Sequence, residues 1–336
     1  MERQISPEEY FGIKQVPIGV GAILFGWDGG PSSVLDFRAM TGDCPHDCFH
    51  CFTDKRKKTL TLEEIKGVID QAAEIASAGH PNLTDNSGFR GINYLGEGES
   101  TLDQDFFEII NYTVNHFMVP IIFTDAATKL RNKEFVKRIE DAEASVCPKC
   151  DSLFNADYQN WVVGDKTGRY FHERNETIEV LIEQEFNRRR DDSTRLGFDM
   201  VVTKRNVNEV EQTLRYCRDR NLWIVFSTYL PAGRSGKEDF DKSLVLSAEE
   251  LAKMRQTVER VDKEYGFEHP IFNNFATSPC VEFMQIYGDG RVSPCPGNET
   301  IIGNIREDSL ATLAERIKVR FPCHANPNGN CHYRLK

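Results

Sequence analysis

Apolar and polar residues change period repeatedly along the chain, and each change marks an element. Short runs rich in Val, Ile and Phe read as strands over residues 33–37, 91–95, 119–124, 144–147, 200–203 and 222–229. Between them, apolar positions recur at three and four residues. Ile65, Ile69, Ala72 and Ala76 form one such stripe, and Phe106, Ile109, Ile110 and Val114 the next, each the buried face of a helix. Further helices are expected over residues 135–139, 176–187, 207–218 and 247–265. Two helices open on a capping box, Thr61-Leu-Glu-Glu64 and Ser247-Ala-Glu-Glu250, where each side chain satisfies the other residue's backbone N–H. Asn206 is expected to cap the helix after the fifth strand. Strict alternation predicts a parallel sheet with right-handed crossovers. The fold class is therefore α/β, a partial (β/α)6 barrel of the TIM type, with its chemistry at the carboxyl ends of the strands.

Beyond residue 266 the pattern breaks into short pieces rich in Pro, Gly and Asn. Tyr287-Gly-Asp-Gly290 is a hairpin turn between residues 283–286 and 291–292. The organisation expected is an N-terminal strand or hairpin extension (1–32), a barrel (33–265) and a small C-terminal domain (266–336). The longest apolar run, residues 16–27, falls short of the roughly 20 needed to span a bilayer. It also lacks the basic start and cleavage site of an export signal. No membrane partner is expected, and the location expected is cytoplasmic. A net charge of −11, with the acids scattered, argues against duplex nucleic acid as partner, because that binding needs Lys and Arg to neutralise phosphates. A small anionic substrate in a local basic pocket remains compatible.

The ten cysteines fall into groups at 44/48/51, 147/150, 280/295 and 323/331, with Cys217 alone. In a long chain without an export signal such groups point to metal or redox chemistry rather than disulfides. Cys44-Pro-His-Asp-Cys48-Phe-His-Cys51 directly follows the first strand. Three thiolates in so short a loop can converge on three irons of one cubane and leave the fourth iron open. The competing assignment joins Cys48 and Cys51 with Cys147 and Cys150 in a zinc site, leaving Cys44 spare. Two knuckles on different strands of a barrel speak against it.

This loop resembles the signature of the radical S-adenosylmethionine family: C-x3-C-x2-C after the first barrel strand, with an aromatic residue or His before the last Cys, here His50. Within Leu95-Gly-Glu-Gly-Glu-Ser-Thr101, Gly98-Glu99 resembles the family's Gly-Gly-Glu-Pro turn, with Ser100 in place of Pro. The resemblance covers roughly residues 33–230. It implies a 4Fe–4S cluster on Cys44, Cys48 and Cys51, with S-adenosylmethionine chelated at the open iron through its amino and carboxylate groups. One electron, from a flavodoxin- or ferredoxin-type donor, then breaks the S–C5′ bond, and the 5′-deoxyadenosyl radical removes a hydrogen atom from substrate. The cofactor would be held by His50, Gly98, Glu99, Thr124 and Lys149. Glu99 would accept from the methionine ammonium where Gly98 lets the backbone approach. Thr124-Asp-Ala126 stands where the family often has Thr-Asn-Gly, and Lys149 would pair with the cofactor carboxylate.

Cys280 and Cys295 frame the C-terminal hairpin, and Cys323 and Cys331 follow. Four thiolates suit a fully ligated cluster and equally a zinc staple. The segment resembles the twitch form of the SPASM extension, which implies an auxiliary 4Fe–4S cluster, although Cys323-x7-Cys331 departs from the usual C-x2-C closure. Cys147 and Cys150 are three apart on a strand and so face opposite sides. Cys150 is expected to point into the barrel as a hydrogen-atom donor, with simple burial as the other reading; Cys217 is expected in the core. The twitch resemblance implies oxidation or bond formation on a small molecule, with the auxiliary cluster accepting an electron. Modification of a peptide or protein side chain is the alternative, and a zinc-stapled scaffold the non-enzyme one. A peptide maturase is disfavoured by an N-terminus too short for a leader-binding domain.

Overall fold

A computed structural model describes residues 34–38, 42–78, 91–116, 118–188, 194–229, 232–236, 240–266, 284–294 and 298–320. Strands and helices alternate as the periodicity predicts. The order is β1 (Val34–Arg38), α1 (Leu62–Ala78), β2 (Gly91–Tyr94), α2 (Phe106–Asn115), β3 (Val119–Thr124), α3 (Lys133–Asp141) and β4 (Ser145–Pro148). Then come α4 (Ala156–Val162), α5 (Tyr170–Glu183), β5 (Gly197–Val202), α6 (Val210–Asp219), β6 (Trp223–Thr228) and α7 (Ala248–Glu264). Both capping boxes form. Thr61 N donates to Glu64 Oε2 at 2.7 Å and Glu64 N to Thr61 Oγ1 at 3.2 Å; Ser247 and Glu250 repeat the exchange at α7.

β1 pairs with β2, β2 with β3 and β3 with β4, all parallel, and β5 pairs with β6 in parallel. Two parallel bridges, Val146 with Leu196 and Lys149 with Asp199, join the blocks, so six strands run in one direction around a partial barrel. Ile92, Ile122 and Phe198 from the strands and Ile65, Ile109, Ile139 and Leu181 from the helices share one core, each at most 1 % exposed. β5 starts three residues earlier than its apolar run suggests. Gly197 is a close contact rather than a breaker: a Cβ there would lie 1.9 Å from the Trp223 ring.

The C-terminal elements are β7 (Gln285–Tyr287), β8 (Arg291–Ser293), β9 (Gly303–Asn304) and α8 (Leu310–Arg320). The predicted hairpin forms, but it does not stand apart. β7 pairs in parallel with β1 (Asp36 with Gln285, Arg38 with Tyr287), giving the sheet order β4-β3-β2-β1-β7-β8-β9. Ile286, Val292, Leu310 and Leu313 enter the same core as the barrel helices, so among the described residues that core runs on past residue 266. The N-terminal extension, residues 1–32, and the proposed auxiliary ligands Cys280, Cys295, Cys323 and Cys331 lie outside the described residues. Among the described residues no helix is long and apolar enough to cross a membrane.

Candidate active site

The cysteine loop leaves β1 at the carboxyl ends of the strands and is held there by its backbone. Asp47 N donates to Val163 O at 2.9 Å and Phe49 N to Val162 O at 3.1 Å, fixing one side to the end of α4. Glu99 N donates to Asp43 O at 2.7 Å, and Thr59 N and Leu60 N to Gly288 O at 2.8 and 3.0 Å. Gly98 makes the second of these ties possible: a Cβ there would sit 2.2 Å from Asp43 O and 2.6 Å from Gly42 C. The missing side chain serves loop-to-loop contact, and Gly98 also lines a cleft beside Glu99, where the sequence expects the cofactor.

Cys44, Cys48 and Cys51 line this one cleft, which is open to solvent. Burial pushes the Cys44 thiol up to about 11 and raises Cys48 further, so these groups become thiolates when a metal displaces their protons. Among the described residues no three His, Cys, Asp or Glu side chains stand close enough to share a single metal ion. Three thiols on the wall of one cleft suit a cubane by their chemistry, since each thiolate would take its own iron. Cys150, required by the zinc quartet, does not line the cleft.

Glu99 also lines the cleft and is 3 % exposed. Its Oε1 accepts from Thr101 Oγ1 at 2.5 Å and Thr124 Oγ1 at 2.7 Å, and its Oε2 from Asp125 N at 2.7 Å. Burial, and next the Asp125 charge, raise its carboxyl to about 8. Asp125 goes the other way. Burial works against its charge, but His46 Nε2 at 2.8 Å and Thr128 Oγ1 at 2.5 Å outweigh it and hold the carboxyl below the usual range. The next residue, Ala126, is buried with φ +59°, where the resembled family often has glycine. Left-handed backbone costs a residue with a Cβ roughly 1–2 kcal/mol, against the backbone entropy glycine adds. Ala126→Gly should therefore raise stability by up to about 1 kcal/mol, read as a higher urea midpoint.

Lys149 reaches the cleft from the end of β4, but it is engaged. Its Nζ lies 3.1 Å from both Asp151 Oδ1 and Asp199 Oδ2. Burial opposes its charge, and the two carboxylates outweigh burial and hold it above the ordinary lysine range. His50 is 6 % exposed, its Nε2 3.6 Å from Asp151 Oδ1, and burial lowers it to about 4, so the ring is neutral at pH 7. Its Nδ1 has no hydrogen-bond partner among the described residues.

Two expectations change. Cys150 does not point into the barrel: it is fully buried in the core beside the helices, while Cys147 lines the cleft. Lys149 fixes this, since residues two apart share a face of a strand; the alternation alone selects Cys147. Cys217 is in the core as expected. Asn206 does not cap the following helix. Its Oδ1 accepts from Thr203 N at 2.7 Å and its Nδ2 donates to Asp151 O at 2.7 Å, so it ties the end of β5 to the β4 loop. Sequence reasoning passed over His46, Asp125, Asp199 and Glu97, which also line the cleft. His46 lies inside the cysteine motif, and Asp125 stands beside Thr124.

No family model and no curated protein matches the chain. Solved structures do. anSMEcpe with bound AdoMet superposes with a TM-score of 0.62 at 16% identity, over 86% of this chain and 83% of that one. SuiB of Streptococcus suis bound to its precursor peptide SuiA superposes with a TM-score of 0.62 at 14% identity, over 89% of this chain but 66% of SuiB. The same anSMEcpe with AdoMet and the Cp18Cys peptide gives a TM-score of 0.62 at 15% identity, over 87% of this chain and 83% of that one. The chain has the partial-barrel fold of these AdoMet-bound and peptide-bound proteins.

Proposed function

We propose that this chain is a radical S-adenosylmethionine enzyme. The observation that carries the reading is that all three thiols of the C-x3-C-x2-C loop share one cleft with Glu99, Thr124 and Lys149 at the strand ends. Cys44, Cys48 and Cys51 would hold the cluster, which when bound supplies the electron that cleaves S-adenosylmethionine to the 5′-deoxyadenosyl radical. Glu99 would accept an N–H from the methionine amino group, oriented by Thr124 Oγ1 and Asp125 N. Lys149 uses two of its three N–H donors on Asp151 and Asp199, which leaves one for the cofactor carboxylate. The acids around the cleft favour a cofactor that carries a sulfonium charge. Cys280, Cys295, Cys323 and Cys331 would hold an auxiliary 4Fe–4S cluster. We place the protein in the cytoplasm, where thiols stay reduced, with a flavodoxin- or ferredoxin-type donor.

For substrate we favour a peptide or protein side chain over a small molecule. Two of the superposed structures, at TM-scores of 0.62, were solved with a peptide bound.

Anaerobic reconstitution should give about eight irons per chain with matching sulfide, by the two-cluster count, and reduction with S-adenosylmethionine should release 5′-deoxyadenosine. Stoichiometric zinc without sulfide would overturn the reading.

Glu99 makes cofactor binding depend on pH. Below about pH 8 its carboxyl is protonated in the free protein, and an N–H donated to it by the bound amino group favours the ionised form. Binding then expels a proton, so affinity should rise with pH to about 8 and flatten above. For the cofactor-free fold the sign is opposite. The folded state holds a proton that the unfolded chain has lost above 4.5, so Glu99 contributes less stability as pH climbs to about 8. Glu99→Gln should remove the pH dependence of binding and weaken affinity about 10–150-fold, the worth of one charge-assisted hydrogen bond. Calorimetric titration from pH 6 to 9, with iron content measured on each sample, checks both.

A further inference from the structure

Phe49 sits between Cys48 and His50 in the cysteine loop, and its surroundings form a path from that loop to solvent. Its ring lies 4.4 Å from Trp161 and 4.9 Å from His50, and its backbone N donates to Val162 O, the neighbour of Trp161. Trp161 is 41% exposed at the end of α4, so an exposed indole is in ring contact with the residue next to Cys48.

The charges around this indole run against the rest of the molecule. The chain carries a net −11, yet the Arg205 guanidinium lies 4.0 Å over the Trp161 ring and has no carboxylate partner among the described residues. Exposed Lys166, on the turn after α4, acts across the loop on Asp47. The neighbouring acids are largely engaged. Asp47 pairs with Arg234, and Asp165 accepts from Thr167 N and Tyr170 N. Asp157, in the first turn of α4, is the exposed acid that offsets the cations in part.

We propose that Trp161, Arg205 and Lys166 form the docking surface for a small acidic one-electron carrier protein, with Phe49 bridging to the cluster ligands. The inference rests on the enzyme reading above. An electron carrier fits better than a substrate because Phe49, Trp161, Arg205 and Lys166 do not line the cleft. A substrate must enter that cleft, whereas a carrier needs only to approach the loop. At this step the carrier's reduced flavin or iron–sulfur centre loses one electron and the cluster gains it; no bond forms or breaks.

The test uses the reconstituted holoprotein and flavodoxin hydroquinone, with cluster bleaching followed by stopped flow. Arg205→Glu and Trp161→Ala should each slow reduction by flavodoxin roughly tenfold at low salt, and the wild-type rate should fall as salt rises. Reduction by dithionite, which needs no docking, should stay at the wild-type rate in both variants. If flavodoxin reduces both variants at the wild-type rate, the surface serves another partner, such as the peptide substrate, and the proposal is overturned. If dithionite leaves even the wild type without a reduced-cluster signal, the enzyme reading fails and takes this proposal with it.

Discussion

The triple variant Cys44→Ala, Cys48→Ala, Cys51→Ala is expected to make no 5′-deoxyadenosine and yet remain folded. Each thiolate is assigned one iron, so losing all three leaves nothing to hold the cluster at the loop. The loop's shape does not depend on those thiols. Asp47 N, Phe49 N, Glu99 N, Thr59 N and Leu60 N make its ties through the backbone, and all five survive the substitutions. The three side chains are only partly buried, so little packing is lost. Iron should fall from about eight to about four per chain if the C-terminal cysteines hold their own cluster. Product analysis, iron assay and a thermal melt on one preparation read all three effects. Cofactor cleavage that persists in this variant would remove the loop from the chemistry.

Gly98→Ala is expected to do what the triple variant does not, and damage the loop itself. The new methyl would lie 2.2 Å from Asp43 O and 2.6 Å from Gly42 C, where real Cβ contacts essentially never fall below 3.0 Å. Both atoms belong to backbone and cannot rotate aside. Either the Glu99 N to Asp43 O bond of 2.7 Å breaks or the start of the cysteine loop moves. Overpacking costs about 1–3 kcal/mol, and the lost hydrogen bond about 1 kcal/mol more. A loss of roughly 2–4 kcal/mol should appear as a lower urea midpoint, together with poor cluster incorporation. Gly67→Ala in α1, where a Cβ meets nothing within 4 Å, is the matched control. A variant as stable and as iron-rich as wild type would show that the two loops can part freely.

The fold was legible wherever local chemistry agrees with the tertiary structure. β3 matches its apolar run residue for residue, and α1 and α7 start at their capping boxes. α4 was missed because Tyr158, Gln159, Asn160 and Val162, all buried, include two amides that break the apolar stripe. α8 was missed because its core contacts, Leu310, Leu313 and Ile317, follow a Pro- and Gly-rich stretch that reads as loop. The site was legible as a motif but not as a network. Spacing groups the cysteines, and the resemblance of Gly98-Glu99 points to Glu99; the structure puts both on one cleft. That Lys149 is shared between Asp151 and Asp199, or that His46 steadies Asp125, depends on which strand ends meet. No local pattern carries that information.

β1 has neighbours from opposite ends of the chain: β2 on one side and β7 on the other. A growing chain therefore exposes β1 and the cysteines after it long before residues 285–287 exist to pair with β1. Until then β1 is an open edge, available to any other strand, and Thr59 and Leu60 lack the Gly288 carbonyl that anchors the loop's exit. Contacts so distant in sequence form late in folding. The cysteine loop gains its tie to Gly288 only after residues 285–288 have been made. A chain stopped short presents three cysteines on an unfinished loop beside a strand ready to join a stranger, so on the proposed function the timing of cluster loading would depend on translation as much as on chemistry.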